Sequence, residues 1–347
     1  MNLRAPGFWW RAEPGLGARL LQPLGALYGA ATLARMARPG ADAGLPVICV
    51  GNLVAGGAGK TPTALAVAER LTALGETPFI LSRGYGGREP GPLRVDPARH
   101  GAGDIGDEPL LMASRYPVVV ARDRPAGAAL ARAEGATVIV MDDGLQNPSL
   151  RKDLRLAVVD GAVGLGNGLC LPAGPLRAPA QAQLARIDAG MVIGAGAPGD
   201  AFTRTAMAGG HPVLHAVMAV PEALQARLAG LAVIAASGIG RPEKFAATLT
   251  QAGARILIER RFGDHHAYTA SDVAALIAEA RRHDCAVAVT EKDVVKLGPL
   301  WPQAERDRLV PVPVALKLSD PAALDALLRR ALAGRATSGR DRRLRGA

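Results

Sequence analysis

Val47-Ile48-Cys49-Val50-Gly51-Asn52-Leu53-Val54-Ala55-Gly56-Gly57-Ala58-Gly59-Lys60-Thr61-Pro62 reads as an apolar strand, a glycine-rich turn and the start of a helix. That layout is a nucleotide phosphate cradle. Glycines let backbone N–H groups approach phosphate oxygens, and the helix N-terminus adds a positive partial charge. Gly56, Gly57, Ala58, Gly59, Lys60 and Thr61 are the nucleotide-binding candidates. Lys60 has the reach for the outer phosphates, and Thr61 has the hydroxyl for Mg²⁺. The strict spacing asks for glycine five residues before Gly59, where Val54 stands, so this is a variant P-loop.

Working outward, short apolar strands alternate with helical stretches. Helices are expected over 61–74, 107–114 and 125–134, and strands over 78–82, 118–121, 137–141, 156–160 and 191–193. This alternation predicts a P-loop NTPase-like α/β domain with a parallel sheet, whose catalytic loops lie at the carboxyl ends of the strands. An extended run at 215–221 reads as a domain connection. Beyond it, strands at 232–236, 256–259, 285–290 and 312–317 alternate with helices at 242–252, 271–282 and 321–332, a second, smaller α/β domain. The expected division is 1–40 as an N-terminal amphipathic segment, 41–212 as the P-loop domain, 213–330 as the smaller domain and 331–347 as a basic, disordered tail.

The chain has 347 residues and a formal net charge of +10. Arg329, Arg330, Arg335, Arg340, Arg342, Arg343 and Arg345 crowd the C-terminus against one acid, Asp341. A basic balance suits nucleic acid, anionic membrane or a phosphorylated substrate. Aromatics are only 3%, so single-stranded nucleic acid would find few stacking platforms. We expect no nucleic-acid partner and a monomeric protein. Cys49, Cys170 and Cys285 lack disulfide or metal-ligand spacing and fit a reducing compartment.

Near the N-terminus, Phe8-Trp9-Trp10-Arg11 precedes a helical stretch in which Leu16, Leu20, Leu24, Leu27, Tyr28 and Ala31 recur every three or four residues. The run falls short of the roughly 20 apolar residues of a spanning helix. An aromatic pair at its start and basic residues at its edges fit an interfacial anchor, and a helix packed on the protein's own core fits equally well.

Asp142-Asp143 follows the apolar run Val138-Ile139-Val140-Met141, and such an acid beside a P-loop strand is the second half of a nucleotide–metal site. Thr61, Asp142 and Asp143 are the metal candidates. Asp107 in Gly106-Asp107-Glu108-Pro109 is either a helix N-cap or a general base for a substrate hydroxyl. Asp264-His265-His266 is a polar loop that could orient or deprotonate a nucleophile. Arg83, Arg88, Arg122, Arg124 and Arg177 lie on expected loops, where the planar fork suits phosphate recognition. Thr290-Glu291-Lys292-Asp293 either contacts nucleotide or caps the next helix.

Taken together these motifs resemble the tetraacyldisaccharide 4′-kinase family. The resemblance runs in order through Phe8-Trp9, Gly51-Asn52, Gly56–Pro62, Leu81–Gly86, Gly106–Pro109 and Asp142–Gln146. It continues through Gly166–Gly168, Leu171–Arg177, Gly238–Gly240, Asp264–His266 and Thr290–Asp293. It implies a kinase, peripheral to the cytoplasmic face of the inner membrane, using ATP and Mg²⁺. The acceptor would be the 4′-hydroxyl of tetraacyldisaccharide 1-phosphate, a lipid substrate. It further implies that Asp107 and His265 form the catalytic dyad, and that Arg83, Tyr85, Asn167 and Arg177 face the substrate. The sequence departs from the family in two places. Asn147 stands where the family usually has His, and Ala178 where it usually has Glu. Two rivals remain. A partition-type switch ATPase usually carries a Lys where Ala55 stands, and a nucleic-acid binder would work through the basic tail.

Overall fold

Val47–Asn52 (β1), the strand that feeds the P-loop, is the middle of nine. The computed structural model describes residues 5–240, 242–263 and 266–345, with side chains up to residue 335. Its other strands are Pro78–Ser82 (β2), Leu93–Arg94 (β3), Val118–Val120 (β4), Val138–Asp142 (β5), Leu154–Asp160 (β6), Ala189–Ile193 (β7), Val213–Ala219 (β8), Ala232–Ser237 (β9), Arg255–Arg261 (β10), Ala286–Thr290 (β11), Leu309–Val312 (β12) and Ala315–Leu318 (β13). The large sheet has the order β13-β8-β7-β6-β1-β5-β2-β4-β3, parallel from β8 to β4 and closed at each edge by an antiparallel strand. A smaller, all-parallel sheet has the order β10-β9-β11-β12. The fold is the expected α/β architecture with a second, smaller sheet.

β1 and β5 are buried at every residue, as continuous apolar runs covered on both faces must be. On one face the helix Lys60–Ala73 packs Ala64, Val67 and Leu71 against the sheet. The C-terminal helix Pro321–Arg345 adds Leu324, Leu327 and Leu328 to the same core. The other face carries Ala128 and Ala131 of the helix Arg124–Ala133, with Phe202 and Ala206 of Ala197–Ala208.

Strand pairing corrects three expectations. The extended run at 215–221 belongs mostly to β8, paired with β7 inside the large sheet. Its alternation of exposed and buried residues marks a strand near an edge. The single strand expected at 312–317 is two strands in two sheets, because Pro313 falls where the chain leaves β12 and enters β13. The large sheet therefore receives β13 and the C-terminal helix back, and the smaller sheet is drawn from 232–312. Lastly, backbone expected to be a disordered tail from 331 is helical to Arg345. Ala331 is buried, and Arg335 pairs with Asp42 and lies 3.6 Å from Asp153.

The N-terminal helix Leu16–Met36 turns its small residues inward and its large ones outward. Ala18, Gly25, Gly29 and Thr32 are buried, whereas Leu16, Leu20, Leu24 and Leu27 are 82, 80, 56 and 70% exposed. Close approach explains the glycines. A Cβ on Gly25 would lie 2.7 Å from the Cys170 carbonyl oxygen, and one on Gly29 2.9 Å from Cys170 Sγ. Among the described residues, no helix is long and apolar enough to cross a membrane.

Candidate active site

The cradle is shaped by backbone that only small residues tolerate. Asn52 ends β1, and its Nδ2 donates to the Gly56 carbonyl at 2.9 Å, folding the loop back over the strand. Gly59 adopts φ +92°, and a Cβ there would meet Ile193 Cδ1 at 2.6 Å. Gly56 and Gly57 face open space. Lys60 and Thr61 open the helix with partly exposed side chains, and a helix N-terminus of this kind suits an anion.

A second loop lies across the first. Ala55 N donates to Pro175 O at 2.7 Å and Arg177 N to Leu53 O at 3.0 Å, so Leu176 pairs with Val54 as in an antiparallel bridge. Arg177 Nε reaches Val54 O at 3.2 Å, and its fork grips Asp143 with contacts of 2.9 and 3.1 Å. Arg177, expected on the substrate side, thus sits against the cradle. Gln146 and Gln183 complete the brace: Gln146 Nε2 donates to Asn52 O at 2.9 Å, and Gln183 Nε2 to Leu53 O at 3.1 Å. This same loop supports the N-terminal segment, because Trp9 Nε1 donates to Pro172 O at 3.0 Å.

Asp142 ends β5 beside the cradle and Asp143 follows in left-handed backbone at φ 49°. The two carboxylates differ by environment. Burial pushes the Asp142 carboxyl up to about 7, with the negative charges of Glu108 and Asp143 adding to the effect. Burial raises Asp143 as well, but the charges of Lys60 and Arg177 outweigh it and hold that group below the ordinary carboxylate range. Asp142 Oδ2 accepts from Ser82 Oγ at 3.3 Å, while its buried Oδ1 has no hydrogen-bond partner. An orphaned carboxylate oxygen within electrostatic reach of Lys60 fits the oxygen-donor chemistry of a divalent cation. Among the described residues no three His, Cys, Asp or Glu side chains converge as a metal cage. A cation held here would draw most of its oxygens from phosphates and water.

Asp107 opens the helix Asp107–Ala113, which docks against Glu291–Leu297 of the smaller unit. It is buried at 5% exposure, with Lys292 Nζ 3.8 Å and Lys296 Nζ 3.4 Å from Oδ2. Lys292 also lies 3.2 Å from Glu108, and Arg115 pairs with Glu291 at 2.5 Å. The helix has no side-chain cap, so the expected capping role of Asp107 is absent and its carboxylate faces cations instead.

The remaining candidates separate. Arg83 and Tyr85 are exposed on the loop after β2. Asn167 is turned inward. Its Nδ2 donates to Ala173 O at 3.0 Å and Phe8 O at 3.4 Å, while Oδ1 accepts from Leu169 N. Asp264 and His265 lie outside the described residues. Neighbouring His266 stacks on Phe262 and lies 3.2 Å from Asp272. Three residues escaped the sequence reading as site groups. Ser82 lay within the Leu81–Gly86 motif but was given no role of its own. Arg124 was noticed only as a loop arginine, and it is buried behind Asp142, donating to that residue's carbonyl at 3.3 Å. Lys296 was legible in principle: Thr290 accepts from Asp293 N as an N-cap, which starts a helix and puts 292 and 296 on one face.

Residues 17–333 match the family model described as tetraacyldisaccharide-1-P 4′-kinase. The chain belongs to that family. A tetraacyldisaccharide 4′-kinase of Methylobacterium nodulans is 55% identical over 343 residues, 99% of each chain. One of Methylobacterium sp. strain 4-46 is 57% identical over 334 residues, 96% of this chain and 99% of that one. The crystal structure of the "apo" form of LpxK from Aquifex aeolicus in complex with ATP matches with a TM-score of 0.70 at 25% identity, covering 91% of this chain and 99% of that one. Asn147 and Ala178, the two positions where the resemblance led us to expect His and Glu, have structural surroundings. Asn147 Oδ1 accepts from Ser149 N at 2.8 Å and closes a turn. Ala178 is fully buried, and its carbonyl accepts from Gln183 Nε2 at 2.6 Å.

Proposed function

We infer that the protein transfers the γ-phosphoryl group of ATP to the 4′-hydroxyl of tetraacyldisaccharide 1-phosphate, the step that yields lipid IVA in lipid A biosynthesis. The observation that carries this reading is family membership along nearly the whole chain together with an intact phosphate cradle beside two strand-end carboxylates. Gly56, Gly57, Ala58, Gly59 and Lys60 hold the β- and γ-phosphates. Thr61, Asp142 and Asp143 are the residues that would hold Mg²⁺, which when bound neutralises charge on the phosphates. Asp107, oriented by His265, accepts the proton of the 4′-hydroxyl. The oxygen forms its bond to Pγ as the bond from Pγ to the β–γ bridging oxygen breaks, and ADP leaves with that electron pair. Arg83 neutralises the sugar 1-phosphate and Tyr85 contacts the substrate, a reading supported by the exposure of both side chains. Positioning and fixed charge do most of the catalytic work.

The membrane assignment rests on the outward leucines of the N-terminal helix. A tetraacylated substrate stays in a bilayer, and this helix would lie in the interface with Leu16, Leu20, Leu24 and Leu27 among the acyl chains. Its inner face sits on the loop that braces the cradle, which brings lipid and nucleotide together. The protein then works as a monomer on the cytoplasmic face of the inner membrane. Strand pairing supports a division into a large unit and a smaller unit of 222–312. The test is γ-labelled ATP with Mg²⁺ and tetraacyldisaccharide 1-phosphate in detergent micelles. Label entering the lipid, and absent with Lys60→Ala, supports the reading; ATP hydrolysis without lipid labelling overturns it.

A further inference from the structure

Lys296 is nine-tenths buried, and its ammonium makes no hydrogen bond. Nζ lies 3.4 Å from Asp107 Oδ2 on one side and 4.0 Å from Asp293 Oδ1 on the other, with the Tyr268 ring 5.8 Å away. Asp293 is fully buried and fixed. Its Oδ2 accepts from Gly238 N at 3.0 Å and Thr290 Oγ1 at 2.7 Å. A buried ammonium persists only where carboxylates compensate its lost hydration. Here one carboxylate is an anchor in the smaller unit and the other belongs to the large unit. Lys292, one turn earlier, divides itself between Asp107 and Glu108 and is more exposed. Lys296 has Asp107 as its partner across the junction.

We propose that Lys296 is a positioning residue of the kinase: from the smaller unit it holds the Asp107 carboxylate in the orientation that accepts the hydroxyl proton. The base is then complete only while Glu291–Leu297 is docked on Asp107–Ala113. The inference rests on Asp107 being the proton acceptor. In phosphoryl transfer through a loose transition state, a base contributes chiefly by orienting the nucleophile, so fixing its direction matters more than raising its basicity.

The experiment compares full-length wild type with Lys296→Met, Lys296→Arg, Asp107→Asn and the double variant Asp107→Asn/Lys296→Met. It reads kcat, KM for ATP and melting temperature in the micelle assay. Lys296→Met should lower kcat about 10- to 100-fold, as small misplacements of reacting groups do, with KM for ATP within about twofold. Lys296→Arg should recover most of the loss. In the Asp107→Asn background Lys296→Met should change the residual rate by less than about twofold, because the residue it acts through is already gone. An equal fold-loss in both backgrounds, or a fully active Lys296→Met, overturns the proposal. A fully active Asp107→Asn instead removes the base assignment itself. Should Lys296→Met melt early, Lys296→Gln replaces it in the same comparison.

Discussion

Two carboxylate pairs lie within electrostatic reach of each other and are built in opposite ways. Asp142 and Asp143 end a central strand, and their cations Lys60, Arg124 and Arg177 all belong to the large unit. Asp107 and Glu108 open a short helix, and their cations Lys292 and Lys296 come from the smaller unit. The first pair is complete within one sheet. The second exists only where two units meet. On the proposed roles, nucleotide capture would rest on the large unit and phosphoryl transfer on the junction.

The sharpest way to break this contrast is Asp107→Ala. Loss of a general base costs about 10²–10⁴ in rate, so kcat should fall by that much while ATP affinity, measured by calorimetry, changes little. Equal losses in both would put Asp107 on the nucleotide side and erase the distinction. Lys60→Ala tests the other pair. Removing a charged phosphate contact costs on the order of 10²–10³ in turnover. Here ATP affinity should fall along with kcat, and retained ATP affinity would show that the loop amides suffice for capture.

A third test concerns where the acceptor waits. Leu20→Glu/Leu24→Glu places two charges on the exposed stripe without touching the glycine face that packs on Cys170. Burying one leucine contributes about 1.5–3 kcal/mol, so vesicle co-sedimentation should drop at least tenfold. Activity on substrate in detergent micelles should change less. Unchanged vesicle binding would return the helix to a purely internal role.

How much of this was legible in the chain follows from what each signal depends on. The cradle was readable because Gly56 to Thr61 is local chemistry: strand, tight turn and helix start lie within one stretch. Asp142 was readable as a candidate because an apolar run ending in acid, which alone could equally cap a helix, stands in the same chain as Lys60-Thr61. The strand at 213–219 was not, since its half-exposed pattern carries no mark of which sheet it joins. Arg177 gripping Asp143 depends on two loops brought together across 34 residues of chain, and no spacing rule reports that. Lys296 against Asp107 is a contact between units. Asn167 shows the opposite limit: its motif is specific, and the motif gives no sign that its amide holds the loop and the N-terminal segment together.

The smallest expected effect is also the one that separates stability from function. Asp142 is buried with one oxygen orphaned, and burial raises its folded-state pKa from the ordinary carboxylate range to about 7. At pH values below the unfolded pKa both states are protonated, so the group is neutral in each. As pH rises toward the folded pKa, the unfolded state ionises first, and the native state becomes progressively less stable. Above about 7 the native state carries the buried charge and the penalty is full. Asp142→Asn keeps a neutral group of the same shape at every pH. The nucleotide-free variant should therefore melt a few degrees above wild type at pH 8, and the gap should narrow at pH 5.5, read by differential scanning fluorimetry. The same variant should lose turnover, because a neutral amide is a poor ligand for a hard cation. A gap that is equal at both pH values would mean that Asp142 is already ionised at pH 5.5. Its neighbours Lys60 and Arg124 would then hold its charge as firmly as Lys60 and Arg177 hold that of Asp143.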